Sequence, residues 1–404
     1  MTILIGADIV PTERNIEYFI HGDDDSCYSL FGEELFDLLI NADFRIFNIE
    51  APITNSVSPI TKCGPCLRIP PACIKGFNAM KIDMVTLANN HILDQGIKGI
   101  KDTTDYLDRA QIAYVGAGDN LRSASEPFIS KIKNIKFGIY ACTEHEFSIA
   151  KNNYPGANPY DPLYSFDKVE KTKTECDYLI VLYHGGKEYY RYPSPVLQRT
   201  CRRFVEKGAD LVICQHSHCV GCEENYNGGK IVYGQGNFLF DRFDDEYWNS
   251  GLLIEIEDFQ RIKYIPLRKH EMGVRLADCT DAEAIINAFY ERSKEIQKNG
   301  FVDNKYREFA QQKLIAYLRT CYPVNDSIIA RIMNKLTHGK YLSDRVRKAF
   351  NTKRLVQLYN YIECEAHREL FTTGLECDIN LSMVPEKERL SPDETDRKIK
   401  KGIL

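Results

Sequence analysis

Seven short apolar runs, each ending in polar residues, recur along the first 270 residues. They are TILIGAD (to Asp8), FRIFNIE (to Glu50), DMVTLANNH (to His91), KFGIYACTEHE (to Glu146), YLIVLYHGG (to Gly186), DLVICQHSH (to His218) and KIVYGQGNF (to Phe238). Near-continuous apolar runs rich in β-branched residues are typical of strands buried on both faces. Amphipathic segments of helical spacing separate them, such as FGEELFDLLINA, IKGIKDTTDYLDRA and PSPVLQRTCRRFVEKG. This alternation predicts an α/β fold, a layered sandwich of mixed β-sheets flanked by helices.

The pattern changes in the carboxyl-terminal third of the chain. The runs GLLIEIED and RIKYIPLR predict a hairpin that closes one edge of a sheet. From about Thr280 only helical spacing remains, and Thr280 with Glu283 predicts a capping box for a helix that ends at Gly300. We therefore predict an α/β domain over residues 1–270, an all-helical domain over 271–384 and a polar flexible tail over 385–404.

Composition narrows the class of protein. With 404 residues, 44% of them hydrophobic and 27% charged, the chain has ample material for more than one buried core. The net charge of −5 argues against a protein whose overall electrostatic field attracts nucleic acid. The amino terminus, MTILIGADIV, has no basic region and meets Asp8 early, so we expect no signal peptide and no membrane span, and predict a cytoplasmic protein.

The cysteines are expected to be reduced thiols. Fourteen of them are scattered through a long chain without an export signal, which is not the pattern of a disulfide scaffold. Cys63-Gly-Pro-Cys66 has thioredoxin-type spacing, but its flanks predict a loop instead of a helix start. Cys219 and Cys222 lack a second ligand pair for a zinc knuckle, so a thiol-based redox or structural zinc protein is the least favoured hypothesis.

Residues able to bind metal or transfer protons follow the predicted strands. They are Asp8, Glu50, Asn90, His91, His184, His216 and His218. Because open α/β sheets place ligand sites at the carboxyl ends of their strands, we expect these side chains to meet at one sheet edge. Buried histidines and carboxylates are costly unless they share a cation or pair with one another.

The donor types indicate which metals would fit. His216-Ser-His218 suits an extended strand end, where alternate side chains address two adjacent metals. Imidazole, carboxylate and amide ligands together favour Mn, Fe or Zn. Cys214, Cys219 and Cys222 are expected to pack beside the site while the histidines bind.

Seven motifs, in this order, resemble those of the CapA (PGA_cap) family, a branch of the calcineurin-like metallophosphoesterase superfamily associated with poly-γ-glutamate capsule synthesis. They are GADIVPTERN, FNIEAPIT, LRIPP, LANNHILDQG, YHGGKEY, GADLVICQHSH and IVYGQGNFLFD, within residues 2 to 265. The resemblance implies a metallophosphoesterase-like sandwich and two divalent metal ions.

The resemblance also implies roles for individual residues. Asp8 and His218 would serve the first metal, Glu50 would bridge, and Asn90, His184 and His216 would serve the second. His91 would act as general acid toward the leaving group, a role that fits imidazole because it titrates near neutral pH. Asp94 would orient the His91 ring.

One position departs from the superfamily pattern. A DxH motif on the first strand would place histidine at position 10, where this chain has Val10. The first metal therefore loses a ligand, which implies one tight and one weak metal, or recruitment of His145 or Glu146.

These observations lead to a first hypothesis of a metal-dependent hydrolase in capsule, poly-γ-glutamate or cell-envelope polymer metabolism. Water activated by the metals would attack a phosphoester, or a γ-glutamyl amide. The alternative is a non-catalytic accessory protein that binds a polyanion for a capsule synthase complex. Candidate substrate contacts are Lys187, Glu188, His145 and Asn237; a solvated turn for the first two and a structural turn for Asn237 remain open.

The expected partners are an anionic small-molecule or polymer substrate and capsule-synthesis proteins, without nucleic acid. The stretch ARIMNKLTHGKYLSDRVRKAFNTKR is rich in Lys and Arg. A solvated helical face is the ordinary interpretation, and a patch for an anionic polymer, nucleotide or membrane surface is the functional one.

Overall fold

A computed structural model describes residues 1–240, 245–322 and 328–383 of the chain. The chain divides into two compact units, Met1–Tyr306 and Arg307–Leu404. The predicted tail, residues 385–404, lies outside the described residues, and the predicted domain boundary at residue 270 stays a prediction.

Sixteen strands and thirteen helices are found in the described residues. The strands are β1 Thr2–Ile9, β2 Phe44–Ile49, β3 Met84–Thr86, β4 Ala113–Val115, β5 Ala117–Gly118, β6 Phe128–Ile132, β7 Ile135–Thr143, β8 Gly156–Ala157, β9 Tyr178–His184, β10 Leu211–Gln215, β11 Glu223–Tyr226, β12 Gly229–Val232, β13 Asn237–Leu239, β14 Ser250–Glu257, β15 Arg261–His270 and β16 Gly273–Leu276. The helices are α1 Ile16–His21, α2 Asp24–Asn41, α3 Ile74–Ala79, α4 Gly96–Ala110, α5 Leu121–Ala124, α6 Ser165–Lys173, α7 Pro195–Glu206, α8 Cys279–Glu295, α9 Phe301–Thr320, α10 Ile328–Leu336, α11 Lys340–Ala349, α12 Thr352–Glu363 and α13 Glu365–Met383.

Two large mixed sheets form the first unit. The eight-stranded sheet has the order β16-β15-β14-β1-β2-β3-β4, with β13 also pairing with β1. Its strands β1 to β4 run parallel, and β14, β15 and β16 are antiparallel additions. The six-stranded sheet has the order β11-β12-β10-β9-β7-β6, with a parallel centre and antiparallel edges. The predicted α/β sandwich of mixed sheets with a helical C-terminal extension is confirmed.

Three clusters of buried hydrophobic residues form the core around these sheets. Ile3, Ile5 and Ile46 of one sheet pack with Ile180 and Leu182 of the other in a cluster between the sheets. Their neighbours in the strands face outward, where helices cover them in two further clusters. Because side chains alternate across a strand, strands buried on both faces must be apolar at every position, which explains the continuous runs in the sequence.

Two local predictions differ from the structure. The run KIVYGQGNF is not one strand: it forms β12 and β13 in different sheets, because Gly234 and Gly236 adopt positive φ angles of 132° and 74° between them. The predicted capping box at Thr280 is also wrong. Asp278 caps α8 by accepting a hydrogen bond from the Asp281 amide at 2.8 Å, so Thr280 lies inside the helix.

Gly6 permits close packing of the two central strands ahead of Asp8. A Cβ atom at Gly6 would overlap the ring of Phe47 in β2. We expect Gly6→Ala to lower the free energy of unfolding by about 1–3 kcal/mol, because the buried ring has to move in a packed core. Urea denaturation measures this. Gly374→Ala is the control, since a Cβ there meets nothing within 4 Å; equal midpoints for both variants would contradict the packing argument.

The second unit is helical and has a small core of its own. Leu318, Leu342 and Val346 are buried together. Much of the apolar surface of α10, α12 and α13 is exposed, including Ile328, Ile332, Tyr359 and Leu370. The predicted helical character of this part is therefore observed, while the role of its Lys- and Arg-rich stretch stays a prediction.

Candidate metal centre

The candidate ligands lie at the carboxyl ends of parallel strands in both large sheets. Asp8 is near the end of β1 and Glu50 directly follows β2, both in the eight-stranded sheet. His184 is the last residue of β9, and His216 directly follows β10, both in the six-stranded sheet. The expectation of a single sheet edge is therefore wrong: the two sheets pack face to face, and their ends contribute together.

Two groups of three buried side chains have the spacing of metal ligands. In the first group, ligand atoms of Asp8, Glu50 and His218 all lie within 4.8 Å of one another. In the second group, the same holds for Glu50, His184 and His216. Glu50 belongs to both groups, so its carboxylate stands where a ligand shared by two ions would stand.

Three carboxylate oxygens of this centre lack hydrogen-bond partners. Asp8 Oδ2 and both carboxylate oxygens of Glu50 are buried without a hydrogen-bond partner. Burial, together with the negative charge of Glu50, raises the pKa of Asp8 to about 7. Burial also raises the pKa of Glu50. Unpaired buried carboxylates are costly, and bound cations would remove that cost, so these residues fit divalent metal.

Two histidines of the centre, His184 and His216, are held in the neutral form, which is the form that can bind metal. Burial lowers the pKa of His184 to about 4. Burial and the nearby His184 hold the pKa of His216 well below its ordinary value. The His216 Nδ1 atom lies 3.2 Å from His184 Nε2, and Glu50 Oε1 lies 3.4 Å from the same nitrogen. Neutral imidazoles facing carboxylate oxygens are a typical donor set for borderline divalent ions.

Asparagine side chains join the two groups. Asn90 Oδ1 lies 3.1 Å from His184 Nε2, which places the predicted amide ligand at the second group. Asn48 was not predicted: its Nδ2 donates to Asp8 Oδ1 at 2.7 Å and lies 3.3 Å from His184 Nδ1. Asn48 lies inside β2, and its sequence signal was that an asparagine interrupts an apolar run.

The backbone of the histidine loop is strained in a manner common at functional sites. His216 and His218 have φ angles of 84° and 54°, in the region that favours glycine. Such conformations cost free energy and persist where the surrounding structure enforces them. With this backbone, His216 lies in the group that contains Glu50, and His218 lies in the group that contains Asp8 and Glu50.

Asn237 contacts the metal centre through His218. Its Oδ1 lies 2.8 Å from His218 Nδ1, and Asn237 pairs with Asp8 in the register of β13 with β1. On the other side, the ring of Trp248 stacks on the His218 ring at 4.2 Å between centroids. The structure thus places Asn237 against a candidate metal ligand, and its predicted substrate contact stays a prediction.

His91 and Asp94 lie beside the two groups and form a hydrogen-bonded pair. His91 Nδ1 lies 2.6 Å from Asp94 Oδ2, which leaves the other ring nitrogen free of this pair. Lys62 was not predicted from the sequence; its Nζ donates to Asp94 Oδ1 at 2.7 Å and lies 3.3 Å from His91 Nδ1. The Lys62 side chain is only 2% exposed and Asp94 is fully buried. Lys62 lies in a loop with no periodic pattern, so the sequence carried no signal for it.

Other predicted residues lie around the centre. Glu146 Oε2 accepts a hydrogen bond from Asn90 Nδ2 at 3.0 Å, whereas His145 is exposed. Burial is the main cause of the raised pKa of Glu50, and the negative charge of Glu188 raises that pKa further. Burial is also the main cause of the lowered pKa of His216, and the positive charge of Lys187 lowers that pKa further. Their contacts with a substrate stay predictions.

Val10 and the cysteines contribute no metal ligand to these groups. Val10 is buried at 3% exposure, and both metal-ligand groups found among the described residues consist of carboxylates and histidines. Cys214, Cys219 and Cys222 are buried near the site, and burial raises the pKa of Cys219 and Cys222. Cys63 and Cys66 lie in a loop, as predicted.

The chain matches the family model described as "Bacterial capsule synthesis protein PGA_cap" over residues 2–242. It is 31% identical over 172 residues to the "PGA biosynthesis protein CapA" of Bacillus subtilis, which covers 42% of this chain and 45% of that protein. It is 27% identical over 274 residues to the "Probable polyglutamine synthesis accessory protein" of Mycobacterium tuberculosis, covering 61% of this chain and 71% of that one. The match to CapA therefore spans less than half the length of that relative.

Solved structures show weaker likeness. A hypothetical protein from Thermus thermophilus has 12% identity and a TM-score of 0.43, covering 67% of this chain and 100% of that one. A phosphatase from Mycoplasma pneumoniae has 12% identity and a TM-score of 0.40, covering 68% of this chain and 94% of that one. Such values do not indicate a shared activity. In the described part of the chain, no helix has both the length and the apolar character needed to cross a membrane.

Proposed function

This chain belongs to the bacterial capsule synthesis protein PGA_cap family, and from that membership we propose that it is a metal-dependent hydrolase acting on a capsule or cell-envelope polymer or its precursor. The observation that carries the proposal is the pair of buried ligand groups sharing Glu50. A centre with three carboxylate oxygens that lack hydrogen-bond partners, and with three imidazoles, has the composition that divalent ions require.

We assign the ligands by the two groups. Asp8, Glu50 and His218 would hold one ion, and Glu50, His184, His216 and Asn90 the other. Because Val10 supplies no donor, the first ion has fewer protein ligands and is expected to bind more weakly. Mn, Fe or Zn, when bound, would supply Lewis-acid activation of water and neutralise negative charge on the substrate.

The residues beside the ligands supply the proton chemistry. Asp94 accepts hydrogen bonds from Lys62 and from the Leu67 amide, which lies 2.6 Å from Asp94 Oδ2, and these contacts fix its carboxylate. The fixed carboxylate orients the His91 ring through Nδ1. His91 Nε2 would then hand a proton to the leaving group, as a general acid. A phosphoester is the favoured substrate bond, and a γ-glutamyl amide is the second choice, since a polarised carbonyl accepts the same attack.

The direct test combines metal analysis of the purified protein with a small panel of substrates. Phosphomonoesters, phosphodiesters and γ-glutamyl peptides are assayed with Mn, Fe or Zn supplied. We expect bound divalent metal and turnover of at least one class. A protein that stays free of metal in excess Mn and Zn would refute the proposal.

A second candidate function is a non-catalytic accessory role, in which the same pocket binds a polyanion for capsule-synthesis proteins. The specific observation in its favour is the accessory description of the relative from Mycobacterium tuberculosis. Full function in cells that carry His91→Ala would favour this candidate over the hydrolase.

Lys62 offers a prediction within the hydrolase proposal. Lys62→Met removes one of the donors that hold Asp94, so we expect turnover to fall by about 10- to 100-fold with unchanged metal content. Lys62→Arg keeps a charged donor and should restore part of the activity. The measurement is kcat and KM with metal analysis of each variant. If Lys62→Met turns over substrate like the wild type, Lys62 is not a positioning residue.

A further inference from the structure

A cavity of about 360 Å³ carries three arginines outside the metal-ligand groups. Its lining includes Arg191, Val220, Glu246, Arg268, Asp281 and Arg292. Val220 is two residues beyond His218, so the cavity and the metal centre share one loop. The lining of the cavity is therefore adjacent in the chain to a residue of the candidate metal centre.

Two of these arginines converge on one backbone oxygen. Arg191 Nη1 donates to the Val220 carbonyl at 3.3 Å, and Arg292 Nη2 donates to the same oxygen at 3.0 Å. Arg292 Nε also donates to the Gly221 carbonyl at 2.8 Å. Arg191 comes from the segment before α7 and Arg292 from α8, so elements far apart in the chain bring the two guanidinium groups together.

The charges of this pair are not neutralised by carboxylates. Arg268 is paired with Asp281, with Nε and Oδ2 2.6 Å apart. Within the described residues, neither Arg191 nor Arg292 forms an ion pair, and Glu246 at the rim is exposed. Burial, and next the positive charge of Arg191, lower the pKa of Arg292. Two like charges held together in a half-buried cavity favour binding of an anion.

Aromatic side chains connect this cavity to the metal centre. The Arg191 guanidinium lies over the ring of Tyr247, 4.7 Å from its centroid. Trp248, the next residue, stacks on the His218 ring. The ring stacking holds Arg191 in place and leaves its remaining N–H donors for a ligand.

We propose that Arg191 and Arg292 form an anion subsite, which binds a carboxylate or phosphate group of a ligand whose other end reaches the metal centre. Planar guanidinium groups bind both oxyanions in two-pronged hydrogen bonds. The inference rests on the proposed function, because that function assigns the metal centre to the reacting end of the ligand. The subsite implies in addition that the substrate carries a negatively charged group at a distance from the reacting bond.

The test is binding of two small anions to the metal-loaded protein, measured by isothermal titration calorimetry. Inorganic phosphate and glutarate are the probes, one for each source of the oxyanion. We expect Arg191→Gln to weaken binding of at least one probe by about tenfold or more, as loss of a charged hydrogen-bond donor does. The matched control is Arg261→Gln, because Arg261 is 73% exposed in its side chain and lies in β15.

The outcomes separate this inference from the proposed function. If Arg191→Gln weakens the binding of only phosphate or only glutarate, the result supports the subsite and identifies the anionic group that it binds. Binding of both probes by Arg191→Gln as tight as by the wild type, or no binding by the wild type, overturns the subsite even if the protein turns over substrate. Arg292→Lys keeps a donor for the Val220 and Gly221 carbonyls, so its circular dichroism spectrum should match that of the wild type. It should nevertheless weaken binding of the same probe that Arg191→Gln affects.

Discussion

His91→Ala is expected to abolish turnover while leaving the metal content of the protein intact. His91 is paired with Asp94 and is outside both ligand groups, so removing its ring takes away a proton donor and no metal ligand. Loss of a general acid typically lowers the rate by about 10²- to 10⁴-fold. Turnover of the best substrate in the panel and metal analysis of the same preparation measure both halves of the expectation.

The control for His91 is His21→Ala, which removes an exposed imidazole at the end of α1 and should change neither quantity. His91→Gln keeps a polar side chain of similar size and should be as inactive as the alanine variant. If His91→Ala loses its metal, then the ring is a ligand and the assignment of the general acid is wrong. If it keeps both metal and full activity, the hydrolase proposal loses its proton donor.

Glu50→Gln is expected to have the largest effect on metal binding. Its carboxylate belongs to both ligand groups, so a single substitution removes a negatively charged ligand from each. Changes to residues that merely orient ligands cost about 10- to 100-fold in metal affinity. Loss of a shared ligand should cost at least as much, and metal analysis after dialysis against Zn or Mn measures it.

The same substitution should stabilise the metal-free protein. Both Glu50 oxygens are buried without a partner, and Asp8 beside them has an unpartnered oxygen as well. A neutral amide removes one uncompensated buried charge, which is worth roughly 1–3 kcal/mol. Thermal unfolding after chelation at pH 8 should therefore show a higher midpoint for Glu50→Gln than for the wild type.

Glu33→Gln is the matched control, because Glu33 is exposed on α2. It should bind metal and unfold like the wild type. A Glu50→Gln protein that retains both ions, or that is less stable than the wild type without metal, would mean that Glu50 serves as a structural hydrogen-bond acceptor instead of a shared ligand.

Much of the site was predictable because it lies at strand ends. Asp8, Glu50 and His184 each end or follow an apolar run, and a strand buried on both faces leaves its polar residues at its ends. His216 and His218 follow the same rule. The types of these residues, together with their order in the family motifs, also indicated a metal centre before any geometry was known.

Residues that contact the site through other residues were not predictable. Lys62 and Arg191 are loop residues with no periodic signal, and Arg292 is one of two basic residues in the last turn of α8. Asn48 is a polar residue within a strand, and its contact with Asp8 depends on the register of β2 against β1. The Asp278 cap was missed for a related reason, since two residues near the same helix start were both good caps.

The sequence by itself determined the alternation of strands and helices, the apolar strands of both sheets and the residue types that end them, because these follow from local periodicity and chemistry. Only the tertiary structure decided that two sheets, and not one, bring the candidate ligands together and that Glu50 belongs to both groups. It also decided that Lys62 pairs with Asp94, and that Arg191 and Arg292 meet at the Val220 carbonyl. The physical reason is that burial and charge compensation depend on contacts between residues far apart in the chain, and no local pattern encodes those contacts.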